Sequence, residues 1–306
     1  MEKAATRQLV RSGRLRILQA GSLARIVGAR WSSPGAAPTN ESSPTDESTA
    51  RSPIHVSMTT YPPRLSSAYW ALASIFSQTR RPDAISLVLA DDEFPRSVVP
   101  HRLRRFVDNG LNLIWTSENA RSYNKLLTVL QDYPGHTVVT ADDDALYPRW
   151  WLGELLRSHR QLPRAILGHR ANLIVSSNRK AEPYVTWPRA GTSSPSSRVL
   201  LTGVGGILYP PGSLPALVQD RKLIRELCPT TDDIWFRAMS LLHGTTVAVI
   251  TDEEHDFPAA PHAGASAKLM DTNVLQGEND RRLEAVFNHF DLWGKLEDGC
   301  EPDRVP

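Results

Sequence analysis

The sequence predicts an α/β fold built on a mainly parallel sheet flanked by helices. Two observations carry that reading. Short β-branched runs alternate with segments of 3.6-residue apolar period between residues 53 and 160, and connections of strand–helix–strand type imply parallel crossovers. A third is composition: with 306 residues, 41% apolar and 22% charged, the chain is large enough to bury a self-sufficient core without disulfide or zinc staples.

Taken in order, residues 54–58 read as a first strand and 65–78 as a helix. Residues 85–90 form a second strand, 100–108 a short helix closed by Asn109-Gly110, and 113–115 a third strand. A helix over 123–133 ends before Pro134. Residues 137–141 form a fourth strand running into three aspartates, and Pro148 suits the first turn of a helix reaching Arg160. Past Ala165 the pattern loosens, with strands expected at 166–167, 172–175, 206–209 and 247–250, and helices at 221–227 and 232–242. This half reads as α+β built onto the same sheet.

Upstream, residues 1–31 hold seven basic side chains against one acid, interleaved with Leu9, Val10, Ile17, Leu18, Leu23, Ile26 and Val27. Two readings stand: a basic amphipathic helix on an anionic membrane surface, or a disordered basic arm. An organellar transit peptide has a similar composition. Residues 32–52 are rich in Ser, Pro, Thr and Ala and read as a linker, because they bury too little to offset their ordering entropy. The expected boundaries are therefore an arm and linker over 1–52, a domain over 53–295 and a tail over 296–306.

Nothing approaches the roughly 20 apolar residues of a membrane span. The expectation is a cytoplasmic protein, peripheral at the inner face of the membrane if the arm meets lipid. Cys228 and Cys300 stand far apart in no metal-ligand spacing and read as free thiols. The formal charge of +2, with basic residues concentrated in the arm and no aromatic platform beside them, speaks against a nucleic-acid partner.

The chemistry concentrates in Thr137-Val-Val-Thr-Ala-Asp-Asp-Asp-Ala145. Side chains alternate along a strand, so Asp142 and Asp144 would face one way if the extended geometry persists. Carboxylates so close repel unless a cation lies between them, and hard divalent ions take oxygen ligands. The place suits a ligand too, because open α/β sheets bind at the carboxyl ends of their strands. The plainer reading is an acidic turn capping the next helix.

Asp142-Asp-Asp144 after an apolar strand resembles the Asp-x-Asp motif of GT-A glycosyltransferases, in particular the family-2-like bacterial enzymes. Other segments are similar in the same order: residues 54–64 to the opening strand and nucleotide loop, Leu87–Glu93 to the second strand, Ser122-Tyr-Asn-Lys-Leu126 to the helix start near the diphosphate, and Thr231-Asp-Asp-Ile-Trp235 to the late acidic pair. The resemblance spans about residues 53–290. It implies a GT-A fold and transfer of a single sugar from a nucleotide-diphosphate donor, most naturally a UDP-sugar, to a glycan or lipid-linked hydroxyl acceptor. It implies Mn²⁺ or Mg²⁺ on Asp142 and Asp144. It also implies donor contacts from Thr59, Tyr61, Asp91, Asn124, Lys125 and Asp142, and a general base at Asp233 beside Asp232. Inversion at the anomeric carbon is implied only by the resemblance. The Gln-x-x-Arg-Trp signature of processive synthases is missing, which disfavours polymer synthesis through a membrane channel.

Each residue has a plainer alternative. Asn124 and Asp232-Asp233 suit helix starts, Lys125 a solvated surface, Tyr61 a packed loop, and Arg64 either phosphate contact or a bare helix start. The glycines of Thr202-Gly-Val-Gly-Gly206 allow close backbone approach to a sugar or an ordinary tight turn. Trp187 reads as an acceptor platform or as packing, and Trp150-Trp151 as core. His255 and His262 are the candidates for a third metal ligand. Outside this reading stand a non-catalytic carbohydrate-binding or assembly protein of the same fold, and a sugar-phosphate nucleotidyltransferase. The nucleotidyltransferase is disfavoured because its Gly-rich basic loop is missing between Ser57 and Leu65.

Overall fold

The computed structural model describes residues 52–95, 98–194, 196–253, 255, 257–264 and 277–296. The expectations for residues 1–51 and for the tail from 297 lie outside the described residues. Strands are β1 (Ile54–Thr59), β2 (Ala84–Ala90), β3 (Leu111–Thr116), β4 (Thr137–Ala141), β5 (Ile166–Gly168), β6 (Ala171–Leu173), β7 (Ser176–Ser177), β8 (Lys180–Ala181), β9 (Val199–Leu201), β10 (Ile207–Tyr209) and β11 (Val247–Val249). Helices are α1 (Leu65–Phe76), α2 (Arg104–Val107), α3 (Asn124–Asp132), α4 (Trp151–Gln161), α5 (Arg221–Leu227), α6 (Asp232–His243) and α7 (Glu278–His289). None of the described helices is long and apolar enough to cross a membrane.

Seven strands make one sheet in the order β11-β5-β10-β4-β1-β2-β3. The pairs β1–β2, β1–β4, β2–β3 and β11–β5 are parallel, and β10 alone runs antiparallel to its neighbours β4 and β5. The expected mainly parallel α/β architecture is what forms, and the later, looser half supplies three strands of the same sheet.

Alternation along the strands sorts two cores. Ile54, Val56, Met58, Leu87, Leu89 and Val139 face one side with Leu72 and Trp151, while Val88 and Val138 face the other with Tyr123, Trp235 and Phe287. His55 breaks the apolar pattern of that second face. It is fully buried, its Nε2 lies 2.7 Å from Ser86 Oγ, and burial with His136 alongside lowers its pKa to about 4.

Two expectations need correction. The helix expected from Pro148 begins at Trp151, because the carbonyls of the intended first turn are spent on the chain after α1. Gln78 Nε2 donates to Pro148 O (2.8 Å), and Thr79 donates to Arg149 O through both N (2.9 Å) and Oγ1 (2.8 Å). Of the tryptophan pair read as core, only Trp151 is buried. Trp150 is 38% exposed: it precedes the helix and its ring lies against those of His169, His255 and Phe257.

The turn leading into β10 fixes how closely that strand approaches β4. Gly206 N donates to Gly203 O (2.9 Å), and Gly206 holds φ +77°. A Cβ there would lie 2.4 Å from Trp151 Cζ2 and 2.9 Å from Thr140 O. Replacing Gly206 with Ala is expected to cost about 2–3 kcal/mol, from the left-handed backbone and the clash together. Urea denaturation monitored by tryptophan fluorescence measures it, and an unchanged midpoint would contradict this account of the turn.

Candidate active site

The chain goes from β1 to β2 and β3 on one side, then returns to place β4 on the other side of β1. The carboxyl ends of β1 and β4 therefore flank a topological switch point, where a crevice opens in sheets of this kind. The loops leaving the two strands meet at that point. Thr60, just past β1, donates through Oγ1 to Asp143 Oδ2 (2.6 Å). Arg64 Nη1 bridges Asp143 Oδ1 and Asp144 Oδ2, both at 2.9 Å.

The three aspartates thus divide between two cations, Arg64 on Asp143 and Asp144 and Lys125 on Asp142. Asp143, the middle residue, is buried and anchors the β1 loop. Its carboxyl is pushed up to about 6 by burial, against the pull of Arg64 and the Thr60 hydrogen bond. Asp144 is also raised, by burial and then by the Asp142 charge, with Arg64 opposing. Arg64 itself is held firmly protonated: burial disfavours its charge, but Asp143 and Asp144 outweigh it. Asp142 caps the strand end differently. Its backbone N–H donates to Tyr147 Oη (2.6 Å), and its Oδ1 meets Lys125 Nζ at 2.8 Å.

Lys125 is the second cation. It sits in the first turn of α3, with its side chain only 7% exposed, and spans Asp142 Oδ1 and Asp232 Oδ2, the latter at 3.0 Å. Burial alone would lower its pKa, yet Asp142, Asp232 and Asp233 together raise it well above the ordinary lysine value. The solvated-lysine alternative is thereby removed. Asp232 and Asp233 open α6, and Asp233 Oδ2 accepts from the backbone N–H of Gly203 (3.0 Å). Burial first, and Asp232 second, push the Asp233 carboxyl up to about 7. Gly203 lies against the other pole as well: a Cβ on it would stand 3.1 Å from Asp142 Oδ2 and 3.2 Å from Lys125 Nζ. The glycine loop lets backbone pass between the two acidic ends.

The remaining expected residues divide. Asp91 stands just past β2 at the same edge of the sheet, its N–H donating to Thr116 O (2.9 Å). Tyr61 is half-buried at the start of the turn that carries Arg64. Thr59 spends its hydroxyl on Val88 O (2.9 Å), pinning β1 to β2. Asn124 is buried and accepts through Oδ1 from Ala120 N (3.3 Å), bracing the turn before α3 rather than capping the helix, whose N-cap position is Tyr123. Trp187 is packed, with Nε1 donating to Glu182 O (2.8 Å). His255 lies 3.5 Å from Glu154 and against the Trp150 ring, and His262 holds a left-handed turn at φ +68°. Gly203 belongs to the glycine loop the sequence marked, whereas Thr60, Asp143 and Tyr147 were not singled out. Of these three only Asp143 carried a signal, as the centre of the acidic triplet.

A divalent ion would have to be shared. Asp142 and Asp144 would hold it, beside the cations Lys125 and Arg64 that they already meet. Among the described residues no group of three His, Cys, Asp or Glu side chains forms a protein-only cage. The donor set fits an ion of Mg²⁺ type, which typically takes one or two carboxylates and completes its shell with phosphate and water.

No protein-family model and no curated protein matches the chain. Solved structures that align with it include S. aureus TarS 1–349, at 15% identity over 66% of this chain and 58% of that one, with TM-score 0.46. The complex of the same protein with UDP-GlcNAc aligns at 14% identity over 71% and 62%, TM-score 0.44. The mannosyltransferase PcManGT from Pyrobaculum calidifontis in complex with GDP-Man and Mn²⁺ aligns at 15% identity over 97% and 84%, TM-score 0.42. The chain therefore spans less than two thirds of the TarS structures it matches. Likeness this loose leaves the chemical argument to the site's own geometry.

Lys125→Met would leave Asp142 and Asp232 without their shared cation in a buried place, a change expected to cost about 3–5 kcal/mol. Acid should relieve the variant. Its carboxyl pKa values would sit above those of the unfolded chain, so the native state would bind more protons and stability would fall as pH rises. Chemical denaturation at pH 5 and pH 8 should show the larger deficit at pH 8. Equal deficits would contradict the ion-pair account.

Proposed function

We propose that the chain is a glycosyltransferase moving one sugar from a nucleotide-diphosphate donor to a hydroxyl acceptor. The observation that carries the reading is the meeting of two remote acidic ends, after β4 and at the start of α6, through one buried lysine at 2.8 and 3.0 Å. Such a pairing puts a phosphate-side pole and a proton-accepting pole within one crevice at the carboxyl edge of a parallel sheet.

On the donor side, Asp142 and Asp144 would hold Mn²⁺ or Mg²⁺. When bound, that ion supplies Lewis-acid stabilisation of the charge that builds on the diphosphate. Lys125 and Arg64 add fixed positive charge beside it and need no reorganisation, because carboxylates already hold each in place. Asp91, just past β2, would accept a base N–H, and Tyr61, just past β1, would line the same crevice. The donor most in keeping with this arrangement is a UDP-sugar, and the acceptor a glycan or lipid-linked hydroxyl.

On the acceptor side, Asp233 takes the hydroxyl proton as the acceptor oxygen bonds to the anomeric carbon. The bond from that carbon to the diphosphate oxygen breaks with its electron pair leaving on the diphosphate, and the configuration inverts. A carboxyl raised to about 7 is a stronger base than an ordinary one near 4 and still ionises around neutral pH. Asp232 keeps Lys125 positioned and, through its own charge, helps hold Asp233 up.

Three results test the reading. Turnover of a nucleotide sugar should rise with pH through an inflection near 7, because only ionised Asp233 accepts a proton. Asp233→Asn should lower kcat by about 10²–10⁴-fold with the fold intact. Normal turnover in that variant would remove Asp233 as the base. Asp144→Asn should abolish nucleotide-diphosphate binding that depends on Mn²⁺, measured by calorimetry with and without EDTA. Equal heats in both conditions would remove the metal from the reading.

A further inference from the structure

We infer that the opposite edge of the sheet carries a second binding site, for a ligand presenting a phosphate or pyrophosphate group. A groove of about 890 Å³ opens there, beside the first residues of β1 and β4, Ile54 and Thr137. Those strands run six and five residues, so at about 3.3 Å per residue the groove lies about 15–20 Å from the aspartate cluster. Its volume is within the roughly 300–1,000 Å³ of small-molecule sites.

The chemistry of the lining is one-sided. Arg80, Arg160 and Arg164 line the groove with His159 and His243, and no Asp or Glu is among the lining residues. All three arginines are exposed, and none of them has a carboxylate partner among the described residues. They come from two segments, the turn after α1 and the end of α4 with the turn beyond it. The segments are held in register by Thr79 on Arg149 O and by the Arg80 stem lying along Gly153, where a Cβ would meet Arg80 Cγ at 3.3 Å. Three arginines around one groove, with no carboxylate partner among the described residues, leave an excess of positive charge that an anion bound there would offset. Guanidinium forks match phosphate oxygens in pairs, which favours a phosphoryl group over a simple halide.

Arg80, Arg160 and Arg164 around one groove form a recess for an oxyanion. The group could be carried by a free metabolite or by a lipid headgroup, and the test separates these.

Inorganic pyrophosphate would be titrated by calorimetry into the full-length chain and into Arg160→Gln/Arg164→Gln, at low and moderate salt. Wild type should bind one more pyrophosphate than the double variant, or bind the second one about ten- to a hundredfold more tightly, with affinity falling as salt rises. Both proteins share residues 1–51, so that basic stretch contributes equally to each. Phosphatidylcholine vesicles with and without phosphatidic acid form the second arm. Loss confined to the pyrophosphate arm assigns a soluble ligand, and a parallel loss of binding to the acidic vesicles assigns a lipid headgroup. Equal behaviour of the two proteins in both arms would overturn the inference. Arg80→Gln, on the other segment, should show the same direction of loss and stands in if the double variant does not fold.

Discussion

An ammonium group taken out of water must be repaid by charge, and the position of Lys125 is where that requirement organises the molecule. Its two partners come from different layers of the fold: Asp142 from the end of a central strand, Asp232 from the first turn of a helix on one face. Neither carboxylate alone would offset the desolvation of the lysine, and neither acid would tolerate burial without it. The three elements α3, β4 and α6 are thereby held at one point. The glycine loop before β10 can then thread between the poles, with Gly203 donating to Asp233 and touching Asp142. A side chain at Gly203 would push against both.

Arg64 repeats the device on the other flank, tying the loop after β1 to Asp143 and Asp144. Five carboxyl groups, from Asp142, Asp143, Asp144, Asp232 and Asp233, share these two cations. Burial first, and neighbouring carboxylates after it, hold Asp143, Asp144 and Asp233 above the ordinary carboxylate range. A site in this state gains from any further positive charge and from any group that can carry a proton away. The same imbalance thus underlies both roles proposed for it, on the diphosphate side and on the acceptor side.

The two edges of the sheet carry opposite electrostatic character. At the carboxyl ends of β1 and β4, acids outnumber bases. At their starts, arginines line a groove without acids. The parallel strands fix this polarity, because every loop leaving a parallel strand emerges on one edge and every turn preceding one lies on the other. The antiparallel strand β10 joins the two regions, entering from the glycine loop beside Asp142 and leaving toward the groove at Pro210 and Pro211.

The sequence by itself determined the alternation of strands and helices, the mainly parallel sheet and the edge at which the aspartates emerge. All of these follow from periodicity and from the handedness of crossovers, which are local or nearly local properties. It also marked Asp142 and Asp144, as acids closing an apolar strand, and the resemblance to GT-A enzymes marked Asp232, Asp233 and Lys125. Partnership was a different matter. That Lys125 is buried, that Thr60 rather than Thr59 reaches the triplet, and that Asp143 anchors the loop all depend on which segments meet across the switch point. The exposure of Trp150 beside buried Trp151, and the convergence of Arg80 with Arg160 and Arg164, were equally hidden. Contacts between residues far apart in the chain are set by how the layers pack and by where each buried charge finds its counter-charge, and no periodicity in one dimension records that.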